Sequence, residues 1–185
     1  MYDSYKMSES FDSVKKLAIL GSTGSIGQQT LDVVRALPDK FKIIGLAAGE
    51  NLELLEKQIS EFKPRVVYYR DQTTKLKSNS YHVVPMEEIA VHPEVDIVII
   101  ATSGRAGLSS TLAAIKADKK IALSNKEPLV MAGELILAEM KKSSGWILPV
   151  DSEHSAIWQC MVGESLKPAR IILTASGGPF LKLSG

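Results

Sequence analysis

Residues 16–27 read KLAILGSTGSIG, an apolar run followed by three glycines at intervals of three residues. The run Leu17-Ala18-Ile19-Leu20 is uninterrupted, as in a strand that is buried on both faces of a parallel sheet. Beyond the glycines, apolar residues recur at near-helical spacing until Pro38. A glycine loop between a strand and a helix predicts a turn that binds the phosphates of a dinucleotide.

Each glycine of this loop has a separate physical role. Gly21 allows the tight turn, Gly24 lets the backbone approach a pyrophosphate, and Gly27 permits close packing of helix on strand. The amide groups at the start of the helix then meet the anion. The alternative is a plain turn that is rich in small residues.

On both sides of this loop, short β-branched runs alternate with stretches of helical period. Such alternation predicts an α/β fold, a Rossmann-like doubly wound and mostly parallel sheet. Strands are predicted at 16–21, 41–47, 65–69, 81–84, 95–101, 120–123, 146–150 and 170–175. Helices are predicted at 26–37, 51–61, 71–76, 86–91, 106–117 and 127–142.

Composition excludes some classes of partner. The 185 residues include 22 basic and 21 acidic side chains, so the net charge of +1 favours neither nucleic acid nor a membrane surface. The lone Cys160 cannot form an intrachain disulfide, and with Ile157 and Trp158 we predict that it belongs to the core. We see neither a secretory leader nor a membrane-length apolar run and expect a cytoplasmic protein.

The end of the second predicted strand bears on the choice of cofactor. Glu50 lies where an acidic side chain hydrogen-bonds a ribose 2′-hydroxyl and repels a 2′-phosphate, which by itself favours NAD. The alternative is that Asn51 caps the following helix and Glu50 points to solvent.

An acidic pair, Asp151 and Glu153, lies beyond the strand predicted at 146–150. In extended backbone, residues at i and i+2 project to one side, and two carboxylates suit Mg²⁺ or Mn²⁺. An isolated acid-x-acid pattern is also common in a solvated turn or a helix cap. We interpret His154 as a structural residue or one that hydrogen-bonds a metal ligand, because no other residue with metal-binding spacing accompanies it.

Two further segments favour a phosphorylated ligand. Lys126 follows a buried strand at the carboxyl edge of the predicted sheet, where open α/β folds bind ligands. A helix that begins at Glu127, with Pro128 in its first turn, is compatible with this. Residues 176–178, Ser-Gly-Gly, offer a hydroxyl and consecutive amides for a phosphate, although paired glycines often form a plain turn.

These motifs together resemble one family, 1-deoxy-D-xylulose 5-phosphate reductoisomerase, the NADPH-dependent enzyme of the methylerythritol phosphate route to isoprenoids. The resemblance extends from residue 16 to residue 180 and rests on the segments GSTGSIGQQTLDVVR, ALSNKEPLVMAGE, LPVDSEHSAIWQC and LTASGGPF. It implies a polar tail at 1–13, an NADPH-binding Rossmann-like domain at 14–149, and an incomplete catalytic domain at 150–185 that begins an α+β unit.

The resemblance also implies roles for individual residues. The implied cofactor contacts are Thr23, Gly24, Ser25, Ile26, Gly49, Glu50, Asn51, Asn125 and Glu127. The implied substrate contacts are Lys126, Ser152, Glu153 and Ser176. Asp151 and Glu153 match the metal ligands and, with Lys126, the catalytic residues. Glu50 departs from the family, in which a basic or small residue is common at this position.

The implied reaction rearranges 1-deoxy-D-xylulose 5-phosphate and reduces the product with NADPH to 2-C-methyl-D-erythritol 4-phosphate, with Mg²⁺ or Mn²⁺ as Lewis acid. The family's chain is about twice as long and forms homodimers. We therefore expect this chain to be a truncated part that binds NADPH weakly or moderately and has little or no turnover. The alternatives are a noncatalytic dinucleotide-binding module and an unrelated, metal-independent NAD(P)-dependent dehydrogenase.

Overall fold

The central strand, β1 (Lys15–Leu20), is flanked on both sides by parallel strands in the computed structural model, which describes residues 13–71, 73, 76, 81–165 and 168–172. The strands in this part of the chain are β1 (Lys15–Leu20), β2 (Phe41–Ala48), β3 (Val66–Tyr69), β4 (His82–Val83), β5 (Ile97–Ile100), β6 (Lys120–Leu123) and β7 (Trp146–Pro149). They form one sheet in the order β4-β3-β2-β1-β5-β6-β7, and every neighbouring pair is parallel.

Helices connect these strands. The α-helices of the described residues are α1 (Ser25–Ala36), α2 (Leu52–Phe62), α3 (Met86–Val91), α4 (Leu108–Lys116), α5 (Glu127–Met140) and α6 (Ser152–Met161), and a 3₁₀ turn (Gly104–Gly107) precedes α4. The chain winds from β1 to β2 on one side and later adds β5 on the other. The strand order therefore reverses beside β1, and the carboxyl edge at such a point is where open α/β sheets bind ligands.

The core consists of two apolar layers, one on each face of the sheet. Alternate residues of β1 divide between them, as the two-residue period of a strand requires: Ala18 and Leu20 face one layer, and Leu17 and Ile19 face the other. The first layer also receives buried side chains from α3, α4 and α5, and the second receives them from α1 and α2. The predicted α/β fold with a doubly wound parallel sheet is confirmed.

Several boundaries differ from the predicted ones. β5 is shorter than the predicted 95–101, because Val95 is buried in the preceding turn, where its amide donates to the His92 carbonyl at 3.0 Å. α5 is not a regular amphipathic helix: Ala132 has non-helical angles (φ −145°, ψ 31°), and Val130 is 81% exposed.

The segments after β7 differ most from the predictions. The core role predicted for Ile157, Trp158 and Cys160 is wrong, because α6 buries no residue completely and the cysteine is exposed. Of the strand predicted at 170–175, residues 170–172 have no strand structure, and the rest lie outside the described residues. Most of the helix predicted at 71–76 also lies outside them. The division at residue 150 coincides with the end of the sheet and stays a prediction.

None of the helices described in the structure is long and apolar enough to cross a membrane.

Candidate dinucleotide and metal site

The loop after β1 is held against two neighbouring strands. The amides of Gly21 and Ser22 both donate to the Ala47 carbonyl on β2, each at 2.8 Å. Gly21 has φ of 96°, and a Cβ atom there would lie 2.3 Å from the carbonyl oxygen of Ala101, just after β5. At Gly27, a Cβ atom would lie 2.2 Å from the Gly21 carbonyl oxygen. Only glycine fits these two positions, which brings α1 directly onto the loop.

The N-terminus of α1 has the features of an anion site. The first amides of an α-helix have no partner within the helix, and here no described side chain caps them, since Gly24 is the N-cap. The first turn has no acidic residue, and Gly24 and Ser25 are exposed. Two glutamines of α1 brace the loop, because Gln28 Nε2 donates to the Thr23 carbonyl and Gln29 Nε2 to Ser25 Oγ. This backbone therefore fits a dinucleotide pyrophosphate.

Gln58 supports the glycine loop, although no motif in the sequence predicts this role. It lies on the buried face of α2 beside Leu55 and Ile59, is 2% exposed, and donates from Nε2 to the Ser22 carbonyl at 2.9 Å. The sequence feature that could have identified Gln58 is its position on the apolar face of α2, where a polar side chain is unusual.

At the end of β2, the side chains predicted to meet the adenosine have partners within the protein. Asn51 caps α2, because its Oδ1 accepts the Leu54 amide at 3.1 Å. Glu50 is 84% exposed and forms an ion pair with Arg70, with 2.9 Å between Oε1 and Nη1. The Arg70 amide lies 3.3 Å from the Gly49 carbonyl oxygen. No motif in the sequence indicates a role for Arg70.

Asn125 joins the loop after β5 to the loop after β6. Its Nδ2 donates to the carbonyls of Thr102 at 2.6 Å and Gly104 at 3.0 Å, and its Oδ1 accepts the Glu127 amide at 3.0 Å. The Asn125 side chain is buried, and its amide group makes these bonds within the protein. It therefore holds the two loops in position at the ligand-binding edge. Glu127 is exposed in the first turn of α5.

The predicted ammonium and carboxylates converge at the ends of β6 and β7. Lys126 Nζ lies 3.3 Å from Asp151 Oδ2 and 3.8 Å from Glu153 Oε2. The assumption of extended backbone is wrong, because Asp151 is the N-cap of α6 and Glu153 lies in its first turn. Lys126 is close to both acids at the N-terminus of α6, where negative charges are also favourable.

Neighbouring side chains hold this cluster in place. His154 Nδ1 lies 2.9 Å from Asp151 Oδ1, and Ser152 Oγ donates to Glu153 Oε2 at 2.9 Å. Burial raises the pKa of Asp151, but the hydrogen bond with His154 and the ammonium of Lys126 outweigh this and bring it to about 2. The hydrogen bond to Asp151 raises the pKa of Lys126. Asp151 is therefore an anion and Lys126 a cation at neutral pH.

The donor set fits a hard divalent cation. Mg²⁺ is commonly held by one or two carboxylates, with waters and substrate oxygens completing the shell. Within the described ranges, no group of three or more His, Cys, Asp or Glu side chains is placed to hold a metal. A cleft of about 30 Å³ lies beside the cluster and has room for about one water molecule.

A larger cavity, about 690 Å³, has an acidic lining from α2 that does not suit an anionic cofactor. Ser176 and its glycine turn lie outside the described residues.

Comparison with family models identifies two matching regions. Residues 17–133 match the model described as 1-deoxy-D-xylulose 5-phosphate reductoisomerase, and residues 147–185 match the model of that enzyme's C-terminal domain. The chain is 49% identical over 176 residues to 1-deoxy-D-xylulose 5-phosphate reductoisomerase of Caldanaerobacter subterraneus and 45% identical over 182 residues to that of Pelotomaculum thermopropionicum. These alignments cover 90% and 92% of this chain but 46% and 47% of the relatives. The chain thus spans about half the length of the curated relatives that it matches.

Solved structures agree with these matches. A DOX-P reductoisomerase in complex with magnesium superimposes with a TM-score of 0.79 at 38% identity. The superposition covers 92% of this chain and 48% of the reductoisomerase chain. A 1-deoxy-D-xylulose 5-phosphate reductoisomerase from Zymomonas mobilis in complex with NADPH gives 0.80 at 35% identity, with the same coverage. A homoserine dehydrogenase from Thiobacillus denitrificans superimposes with a TM-score of 0.54 at 18% identity. The superposition covers 76% of this chain and 30% of the dehydrogenase, and it shows a likeness of fold alone.

Proposed function

The chain belongs to the 1-deoxy-D-xylulose 5-phosphate reductoisomerase family, and we propose that it contributes the NADPH-binding part and the first metal and substrate residues of that enzyme. The proposed overall reaction, with NADPH and Mg²⁺ or Mn²⁺, rearranges 1-deoxy-D-xylulose 5-phosphate and reduces the product to 2-C-methyl-D-erythritol 4-phosphate.

The convergence of Lys126, Asp151 and Glu153 at the carboxyl edge of the sheet carries this proposal. A continuous series of contacts joins this cluster to the glycine loop. Gly21 packs against Ala101, the loop after Ala101 is bonded to the Asn125 side chain, and Asn125 is followed by Lys126. A bound dinucleotide and a bound sugar phosphate therefore share one edge of the sheet, as hydride transfer requires.

Each residue of the cluster has a defined task in this proposal. Asp151 and Glu153 hold the divalent cation, which when bound supplies Lewis-acid stabilisation of negative charge on the sugar oxygens. Lys126 places a second positive charge beside those oxygens, and Ser152 orients Glu153 through its hydroxyl. The glycine loop would hold NADPH, which would supply the hydride when bound. Ser176 is proposed to contact the substrate phosphate.

Metal binding by the chain tests this proposal, because binding needs no turnover and the chain spans about half the length of its curated relatives. We expect Mn²⁺ to bind to the chain, as measured by electron paramagnetic resonance, and Asp151→Asn to weaken that binding by roughly tenfold or more, since a ligand charge is lost. Asp118→Asn is the matched control, because Asp118 lies before β6, at the amino edge of the sheet.

Lys126→Met gives a second, opposite expectation. The ammonium competes with a cation for the same carboxylates, so its removal should strengthen Mn²⁺ binding by roughly threefold while weakening the binding of an anionic substrate. If Mn²⁺ binding is unchanged in both variants, the acidic pair is not the metal site. If the chain binds NADPH without any such site, a metal-independent dehydrogenase is the better interpretation. The homodimer and the cytoplasmic setting expected for the family stay predictions.

A further inference from the structure

The ends of β2 and β3 bring two opposite charges together at the adenosine side of the cofactor loop. The strands are parallel, and Ala48 of β2 is paired with Tyr69 of β3. Glu50 and Arg70 lie just beyond these paired residues and form an ion pair at 2.9 Å. Because the strands are in register, this placement follows from the sheet itself.

Each charge alone favours a different cofactor. An acid just beyond the second strand accepts a hydrogen bond from the ribose 2′-hydroxyl and repels a 2′-phosphate, whereas a nearby arginine accommodates that phosphate. Glu50 by itself therefore favours NADH. The Arg70 guanidinium neutralises this carboxylate and lies within reach of the same position.

We propose that Arg70 binds the 2′-phosphate of NADPH and that Glu50 is its internal counter-ion until the cofactor binds. This inference rests on the proposed function and names the residue that selects NADPH over NADH.

Because the Glu50–Arg70 ion pair is exposed, Arg70 can exchange Glu50 for the 2′-phosphate at little cost. The side chains of Glu50 and Arg70 are 84% and 65% exposed, and an ion pair in that setting holds weakly. A phosphate monoester carries about −1.5 to −2 charges and three acceptor oxygens, against one charge for a carboxylate. A guanidinium can also bind phosphate through two parallel hydrogen bonds. The 2′-phosphate should therefore displace Glu50 from Arg70.

The test is a pair of fluorescence titrations of the whole chain, one with NADPH and one with NADH. In Arg70→Met we expect NADPH binding to weaken about tenfold and NADH binding to change by less than about twofold, since NADH has no 2′-phosphate. In Glu50→Gln we expect NADPH binding to strengthen about threefold, because a competing negative charge is removed. The NADPH effects should shrink in high salt.

Arg65→Met is the matched control. Arg65 is also an exposed, paired arginine, but it lies at the amino end of β3 and contacts Glu94. We expect both cofactors to bind this variant as they bind the wild type. Equal weakening of NADPH and NADH in Arg70→Met, or no weakening of NADPH, overturns the inference while leaving the proposed function intact. A wild-type chain that binds neither dinucleotide overturns both.

Discussion

Gly27→Ala is the substitution for which the structure predicts the clearest conflict between local and tertiary energetics. Alanine is better than glycine by about 1 kcal/mol in a helix interior, so helix propensity favours the change. The new Cβ, however, would lie 2.2 Å from the Gly21 carbonyl oxygen, 2.6 Å from Ser22 Cα and 2.7 Å from Ser22 C. All three are backbone atoms, which cannot rotate away as the end of a side chain can.

The magnitude follows from these distances. To restore an ordinary contact, α1 must move away from the loop by roughly 1 Å, and overpacking of this kind costs about 1–3 kcal/mol. The rigid backbone places Gly27→Ala near the upper end of that range. After subtraction of the helix-propensity gain, we expect a net destabilisation of about 2 kcal/mol. With a slope of about 2 kcal/mol per molar urea, the unfolding midpoint should fall by about 1 M.

Circular dichroism during urea unfolding measures this shift, and Gly133→Ala is the control. Gly133 also lies within a helix, next to the kink at Ala132 in α5, and apart from its chain neighbours and its own helix backbone no described atom lies within 4 Å of a Cβ built there. This variant should be stabilised by about 0.5–1 kcal/mol. A midpoint for Gly27→Ala that equals or exceeds the wild-type value, beside a stabilised Gly133→Ala, would refute the reasoning. Weaker NADPH binding by Gly27→Ala is a second expected result, because the loop is displaced.

Three further expectations concern stability. Ile136→Ala should cost about 2–5 kcal/mol in urea unfolding, because the side chain is fully buried, whereas its exposed neighbour Leu137 should tolerate alanine within about 0.5 kcal/mol. The Ser143 hydroxyl and adjacent amides lower the pKa of Asp118 below its ordinary 3.8, so its carboxylate stabilises the fold above that pH and the contribution is lost as pH falls through the folded pKa. In Asp118→Asn, the melting temperature should therefore fall less steeply as the pH is lowered than it does in the wild type. An unchanged dependence on pH would count against this role of Asp118. Glu61→Gln removes one member of an exposed ion pair between α1 and α2 and should cost about 0.5 kcal/mol or less, an effect that 1 M salt (roughly a 3 Å screening length) abolishes.

Most of the sheet could be predicted because its elements are short and locally encoded. A short continuous apolar run such as Leu17–Leu20, followed at once by a glycine turn, is typical of a strand that is buried on both faces of a parallel sheet. β6 was predicted with the observed limits, Lys120–Leu123. Where prediction failed, local pattern and tertiary burial disagree: α6 has apolar residues at helical spacing, yet it buries none completely.

The site shows the same division. Lys126, Asp151 and Glu153 were identified from residue type and from their place after strands, and the structure brings their charges within 4 Å. The route by which they meet was not foreseen, because the acid-x-acid pattern was interpreted as extended backbone. In the structure, Asp151 is the N-cap of α6 and Glu153 lies in its first turn.

Residue order alone determined the parallel α/β architecture, the glycine loop after the first strand, and the lysine and the acidic pair that each follow a strand. These features depend on periodicity and on residue type, both of which are local. Three contacts depended on the tertiary structure alone. Arg70 forms an ion pair with Glu50, Gln58 donates a hydrogen bond to the glycine loop, and the Asn125 amide joins the loops after β5 and β6. Those contacts join residues that are 20, 36 and 23 positions apart. The register of neighbouring strands and, for Gln58, the packing of α2 on the sheet bring them together, and no single segment encodes either.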